Sequence, residues 1–187
     1  MKNIIAFLLY CLSVTAMVAQ SDGITRLDVP VKSPGETILE FTMGNPVFTA
    51  VTTPVGTSVV VGFEGGTPLL EAGMPDLSKY ALALQIPNTG NMVVEILESD
   101  FTDMTDIRVA PSKGNLLRNV DPATVPYTYG GTYLHDNFYP GRMTDLQRPF
   151  NMRGVRGQAL WLYPVQYNPV TKLLRVYHHL KLRVYDA

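Results

Sequence analysis

The chain predicts an all-β fold: a two-sheet β-sandwich of jelly-roll-like form with long ordered loops. Three observations carry this. Apolar and polar residues alternate with a period of two in short runs rich in Val, Ile and aromatic side chains, as half-buried strands require. The 14 prolines and 15 glycines fall mainly between those runs, where turns need them. Beyond the first twenty residues, no window carries an amphipathic helical stripe of two turns with start and stop signals. Short one-sided strands need a second sheet to cover their apolar faces, and the sandwich follows.

In chain order, "MKNIIAFLLYCLSVTAMVAQ" sets Lys2 before an apolar run from Ile4 to Val18, with small or polar residues from Ala19. This is the layout of a secretory signal peptide over residues 1–19, cleaved near Ala19 or Gln20. The run is shorter than the roughly 20 residues a membrane-spanning helix needs. It implies export by way of the periplasm, to the cell surface or the medium, with no membrane attachment after the signal is removed. The single cysteine, Cys11, lies inside the run behind the bulky Tyr10, which argues against lipidation. The processed chain then has no thiol, which excludes a disulfide framework and a cysteine nucleophile. Removing 1–19 takes away one lysine and no acid, leaving 14 basic against 16 acidic residues in a domain spanning 20–187. That balance gives no reason to expect nucleic acid as a partner.

Strands are expected at "TILEFTM" (37–43), "PVFTAVT" (46–52), "TSVVVGF" (57–63), "YALALQI" (80–86), "NMVVEILES" (91–99) and "DIRVA" (106–110). The segment 129–157, rich in Tyr, Gly and Arg, reads as an ordered long loop with one helical turn near Thr144–Gln147. The last stretch is the clearest: a strand over about 158–166, a turn at Asn168-Pro169-Val170-Thr171, and a strand over about 172–185. In that final strand Leu174, Val176, His178, Leu180, Leu182 and Val184 share one face. A strand of this length usually bends or acquires a bulge.

Few groups here suggest chemistry. His178 and His179 are neighbours on a strand, so their rings point to opposite faces and cannot share a metal ion. His178 is expected to be packed or hydrogen-bonded and His179 solvated. His135-Asp136 lacks a nucleophile as third member. Gly65-Gly66 lacks the lysine and following helix of a phosphate loop and reads as a turn. Asp100, Asp103 and Asp106 are spaced by three, whereas calcium loops space by two, so a solvated turn is expected. Arg142, Arg148, Arg153 and Arg156 need only carboxylates as partners. No catalytic residue, metal ligand or cofactor is assigned. Arg118 stands apart, a single arginine in "APSKGNLLRNVDPATVPYTYG", a segment punctuated by Pro111, Gly114, Pro122, Pro126 and Gly130. It is either a solvated loop cation or a guanidinium shaped to enter an acidic pocket.

At "APSKG", "NVDPATVPYTYG", "FYPG", "PFNMRGVRGQ" and "YPVQYNPVTKLLRVY" the chain resembles the N-terminal propeptide of gingipain-type cysteine peptidases, which Porphyromonas-like Bacteroidetes bacteria secrete. The similarity is closest from about Gly66 to Val184. The resemblance implies a β-sandwich that assists folding of a cysteine peptidase domain and keeps it latent. In the arginine-specific members a propeptide arginine occupies the specificity pocket, and the matching position is Arg118, flanked by Leu117 and Asn119. The partner implied is a cysteine peptidase domain, downstream in the same chain or on another. The matching region stops near Ala187, so the chain is expected to be either a fragment truncated before its peptidase domain or a stand-alone inhibitor. The competing expectation is an exported adhesion or glycan-binding module that stacks sugars on Tyr127, Tyr129, Tyr133 and Tyr139.

Overall fold

The computed structural model describes residues 24–33 and 35–186; the signal-peptide reading and Cys11 lie outside them. The strands, in order, are β1 (Ile24–Ser33), β2 (Glu36–Met43), β3 (Val47–Thr53), β4 (Gly56–Gly62), β5 (Thr67–Pro68), β6 (Ser78–Gln85), β7 (Met92–Met104), β8 (Thr144–Leu146), β9 (Phe150–Met152), β10 (Val155–Leu162), β11 (Val165–Asn168) and β12 (Leu173–Asp186). The helical content among the described residues is two 3-10 turns, Pro122–Thr124 and Gly131–Leu134.

Two antiparallel sheets form the sandwich. The first is built on β12, the strand with the cleanest alternation. β7 pairs along one edge from Leu174 to Asp186, while β11 and then β2 share the other edge, with β1 outside β2. Leu174, Val176, Leu180, Leu182 and Val184 are buried, as the alternation requires. Each such side chain contributes about 1.5–3 kcal/mol of burial. The expected irregularity falls at His178, where the register with β7 shifts between Tyr177 and His179. The second sheet runs β5-β6-β10-β8, with β9 beside β8 along the same edge of β10. Its inward face brings Leu160 and Leu162 of β10 and Tyr80 of β6 against Leu39 and Phe41 of β2 in one core. A third unit, the β3–β4 hairpin, joins through bridges from Val59 to Val109 and from Val61 to Leu77.

Several expectations are corrected. Thr144–Gln147 is not a helical turn: Thr144–Leu146 is β8, held by hydrogen bonding to β10. "DIRVA" is not a strand; only Val109 pairs, with Val59, because Asp106 turns the chain at a φ of 59°. The expected single strand over 158–166 is two, β10 and β11, separated at Tyr163-Pro164. β7 runs to Met104, so Asp100 and Asp103 sit on a strand, not in a turn. His179 is not simply solvated; its Nε2 lies 2.9 Å from Glu40 Oε1.

The outer face of the first sheet is a ladder of opposite charges. Basic residues of β12 lie between acidic residues of β2 and β7: Arg183 between Glu36 at 2.7 Å and Glu95 at 3.7 Å, and His179 between Glu40 and Asp100. Lys181 reaches Glu98 at 2.8 Å, and Arg175 grips Asp103 with two bonds of 2.8 and 2.9 Å. Cross-strand pairs of opposite charge favour the native register and penalise a slipped one, which would set like charges opposite one another.

Candidate functional site: the Arg118 turn

The chain leaves the core at Ala110, Pro111 and Ser112, all buried, and returns to it near Gly130. Between these points it cannot continue a sheet. Pro111, Pro122 and Pro126 lack the N–H a ladder needs. Gly114 takes a φ of 82° that side-chain-bearing residues resist.

Both ends of the excursion are fastened to one segment, Gly73–Met74. Ser112 N donates to Met74 O at 2.7 Å, Gly73 N to Ser112 O at 2.9 Å, and Gly130 N to Gly73 O at 2.8 Å. The backbones approach so closely that a Cβ on Gly130 would lie 2.9 Å from Gly73 O. Lys113 ties the middle. Its Nζ donates to Pro122 O at 2.7 Å and sits 4.3 Å from the centre of the Tyr127 ring. Asp121 caps the 3-10 turn, its Oδ1 accepting from Ala123 N at 2.8 Å.

At the tip, Val120 N donates to Leu117 O at 3.0 Å, closing a β-turn whose two corner residues are Arg118 and Asn119. Leu117 is 73% exposed, and Arg118 and Asn119 are exposed beside it. Among the described residues none forms an ion pair or hydrogen bond with the Arg118 side chain. The three predicted residues therefore stand together on a braced turn. Its chemistry is that of a planar guanidinium with five donors, suited to a carboxylate at the floor of a cleft.

Behind the turn lies a cavity of about 440 Å³ lined by Leu70, Asp76, Lys113, Leu116, Pro122 and Tyr127, among others. Asp76 accepts no side-chain hydrogen bond there among the described residues, and burial pushes its carboxyl above the ordinary range.

The other candidates disperse. Asp136 accepts from Asn168 Nδ2 at 2.7 Å while His135 is exposed, so this pair meets no nucleophile. His178 Nε2 lies 3.0 Å from Thr102 Oγ1, away from the Glu40 partner of His179. Gly66 N donates to Phe63 O at 3.0 Å, the turn expected of Gly65-Gly66. Arg142 pairs with Asp145, and Arg156 donates to the carbonyls of Pro87 and Gly90. The tyrosines do not form an open stacking platform. Tyr129 and Tyr133 meet edge to face at 4.7 Å, with their hydroxyls donating to Thr53 Oγ1 and Val109 O. Tyr127 lies under Lys113, and burial raises the Tyr133 and Tyr139 hydroxyls far above their ordinary range.

Sequence reasoning missed the bracing. Asp121-Pro122 carried a signal for it, since Asp followed by Pro is a common helix start. The Gly73–Met74 clamp depends on pairings with Ser112 and Gly130, distant in sequence, which no local pattern reveals.

The fold and this turn together define an all-β domain that displays an exposed arginine on a braced turn. The chain belongs to the Propeptide_C25 family, whose model matches residues 22–187. It is 42% identical over 151 residues to gingipain R1 of Porphyromonas gingivalis, a match covering 81% of this chain and 15% of that protein. Against gingipain R2 of the same species the identity is 40% over 149 residues, covering 80% of the chain and 20% of the relative. The chain thus spans a fifth or less of the length of these relatives. The fold matches the complex of P. gingivalis RgpB pro- and mature domains with a TM-score of 0.83 at 37% identity, covering 86% of this chain and 85% of that one. It matches a structure concerned with the zymogenic latency of gingipain K with a TM-score of 0.75 at 25% identity, covering 88% and 93%. The chain corresponds to the pro-domain and not to the catalytic domain.

Proposed function

We propose that this domain is the inhibitory propeptide of an exported gingipain-type cysteine endopeptidase. Residues 1–19 serve as its signal peptide and 20–187 as the propeptide domain. The propeptide holds the peptidase latent by filling its specificity pocket with Arg118. Leu117 and Asn119 lie in the cleft on either side, and the fold assists maturation of the peptidase domain. The observation that carries this reading is the exposed Arg118 guanidinium, unpaired among the described residues, at the corner of a turn braced on both sides. It occurs in a chain that shares 37% identity with a pro-domain whose complex with its mature domain is known. Bracing matters because ordering a flexible loop on binding costs about 0.5–1.5 kcal/mol per immobilised side chain. A pre-formed turn avoids much of that cost. Inhibition is competitive and involves no chemistry on the propeptide.

The direct test is to titrate the purified domain against a mature arginine-specific gingipain with an arginyl reporter substrate. Saturable inhibition competitive with substrate is expected, together with a higher yield of active peptidase when it refolds beside the domain. Absence of inhibition at micromolar concentrations would reject the inhibitory reading.

A further inference from the structure

The two sheets present opposite kinds of surface. The outer face of the first is the charge ladder, each basic residue already engaged by carboxylates of the same sheet. The outer face of the second sheet is uncharged at its centre. β6 points Ala81 and Ala83 outward, both exposed, while Tyr80 and Leu82 turn to the core. β10 sets Trp161 opposite Ala81, Ala159 opposite Ala83 and Gly157 opposite Gln85. Phe150 of β9 pairs with Gly157 and lies over it, within 2.8 Å of where a Cβ would stand. Beyond it, Met152 and Val155 pair at the hairpin tip, both exposed. Charge borders the face at both ends: Arg153 stands exposed in the hairpin turn beside Met152 and Val155, and at the other end Lys79 Nζ sits 3.3 Å from the Trp161 ring centre while Asp145 of β8 faces Trp161.

We propose that this face, from Met152 across Phe150, Ala159 and Ala83 to Trp161, is a second docking surface for the mature peptidase domain. It would meet an uncharged apolar patch there. The inference rests on the propeptide reading and adds the surface that reading lacks. A three-residue turn tip is too small to hold a domain, since stable interfaces bury about 800 Å² per partner over 20–30 residues a side. The apolar centre, its Trp, Phe and Met content and its polar end match the anatomy of interface cores.

Continuity with the Arg118 turn identifies the occupant. The clamp Gly73–Met74 lies between β5 and β6, strands of this same sheet, and Asp76 N donates to Ala110 O at 2.8 Å just before β6 begins. The turn is therefore anchored to the segment that leads into β6, at the Lys79–Trp161 end of the face, and a partner seated on the turn reaches the face from that end. The small Ala side chains allow close approach, and the charges, Lys79 and Asp145 at one end and Arg153 at the other, border the face and leave its centre at Ala83, Ala159 and Phe150 uncharged.

The experiment compares Ala83→Glu, Met152→Glu and Arg118→Ala with the unaltered domain, measuring Kd for a mature arginine-specific gingipain by calorimetry. Met152 is 65% exposed, so its substitution leaves the fold intact even if Ala83→Glu disturbs the strand. Each glutamate is expected to weaken binding tenfold or more without changing the thermal midpoint for Met152→Glu. Weakening by Arg118→Ala is expected to add to it. If Arg118→Ala alone is silent, the pocket reading falls and the face stands. If both glutamate variants bind within twofold of the unaltered domain while Arg118→Ala does not, the face is overturned. A concentration-dependent dimer abolished by Met152→Glu makes a second copy the occupant and overturns the proposal, and no binding by the unaltered domain overturns both.

Discussion

Lys113 donates its ammonium to the carbonyl of Pro122 at 2.7 Å, bridging the two sides of the excursion that carries Arg118. The same ammonium sits over Tyr127, so one side chain fixes both the width of the loop and its seat on the domain. Lys113→Met keeps the aliphatic stem and removes both contacts. A hydrogen bond of this kind contributes about 0.5–1.5 kcal/mol net. The variant is therefore expected to inhibit an arginine-specific peptidase about fivefold less well. The thermal midpoint should fall by only a few degrees, since about 1 kcal/mol shifts it by roughly 2–4 °C in a domain of this size. A large stability loss with unchanged inhibition would show that the bridge serves the fold and not the turn.

Gly114→Ala tests the backbone of the same loop. Its φ of 82° is left-handed, and an added Cβ would stand 2.9 Å from Ala72 Cβ. Left-handed backbone alone costs roughly 1–2 kcal/mol for an L-residue. The contact with Ala72 adds to that, so about 2–3 kcal/mol is expected in urea unfolding. Gly65→Ala is the control. It shares a positive φ, 67°, but a Cβ there meets nothing within 4 Å, so only the backbone penalty should appear. Equal losses at the two positions would refute the account of the close approach.

Asp103 and Asp76 predict opposite responses to pH. The hydrogen bonds from Arg175 hold the Asp103 carboxyl below the usual range. A depressed carboxylate stabilises the fold above its unfolded value, near 3.9, and that stability is lost as pH falls through the lower folded value. Asp103→Asn is therefore expected to lower stability by about 0.5–1 kcal/mol at neutral pH, the range of partly exposed pairs. The difference should disappear in strong acid, as thermal midpoints measured from pH 2 to 7 will show.

Asp76 behaves the other way because burial raises its carboxyl, with no ion pair among the described residues to offset it. A raised carboxylate favours the fold only while protonated, and that advantage vanishes as pH rises through the folded value. Asp76→Asn is expected to stabilise the domain at pH 7 by about 0.5 kcal/mol or more, in the range of single stabilising substitutions. Below the unfolded value the two proteins should coincide. A destabilised variant at neutral pH would mean that the carboxylate holds a partner in solution.

The longer, uninterrupted strands were legible from sequence, whether inside a sheet like β2 or at an edge like β3, β4 and β7, and the short or interrupted ones were not. β12 could be read almost residue by residue because Leu174, Val176, Leu180, Leu182 and Val184 must all reach one core. β1 went unread because Pro30 interrupts it. An edge strand tolerates proline at a bulge, and the register with β2 shifts between Asp28 and Val31, around that residue. β8 resembled a helical turn because three residues carry no period, and only the β10 ladder decides them. The charge ladder lay hidden for a similar reason: Glu36, Arg183 and Glu95 become neighbours only through pairing across the sheet. At the candidate site, composition left Arg118 undecided between a solvated cation and a pocket-filling one. The family resemblance singled it out, whereas the bracing that makes it a presented group required the fold.

The central claim is tested most directly by the inhibition constant of Arg118→Ala against a mature arginine-specific gingipain, beside that of the unaltered domain. A side chain that fills a specificity pocket is expected to contribute at least about 2 kcal/mol, so inhibition should weaken roughly thirtyfold or more. An inhibition constant within twofold of the unaltered domain would contradict the account.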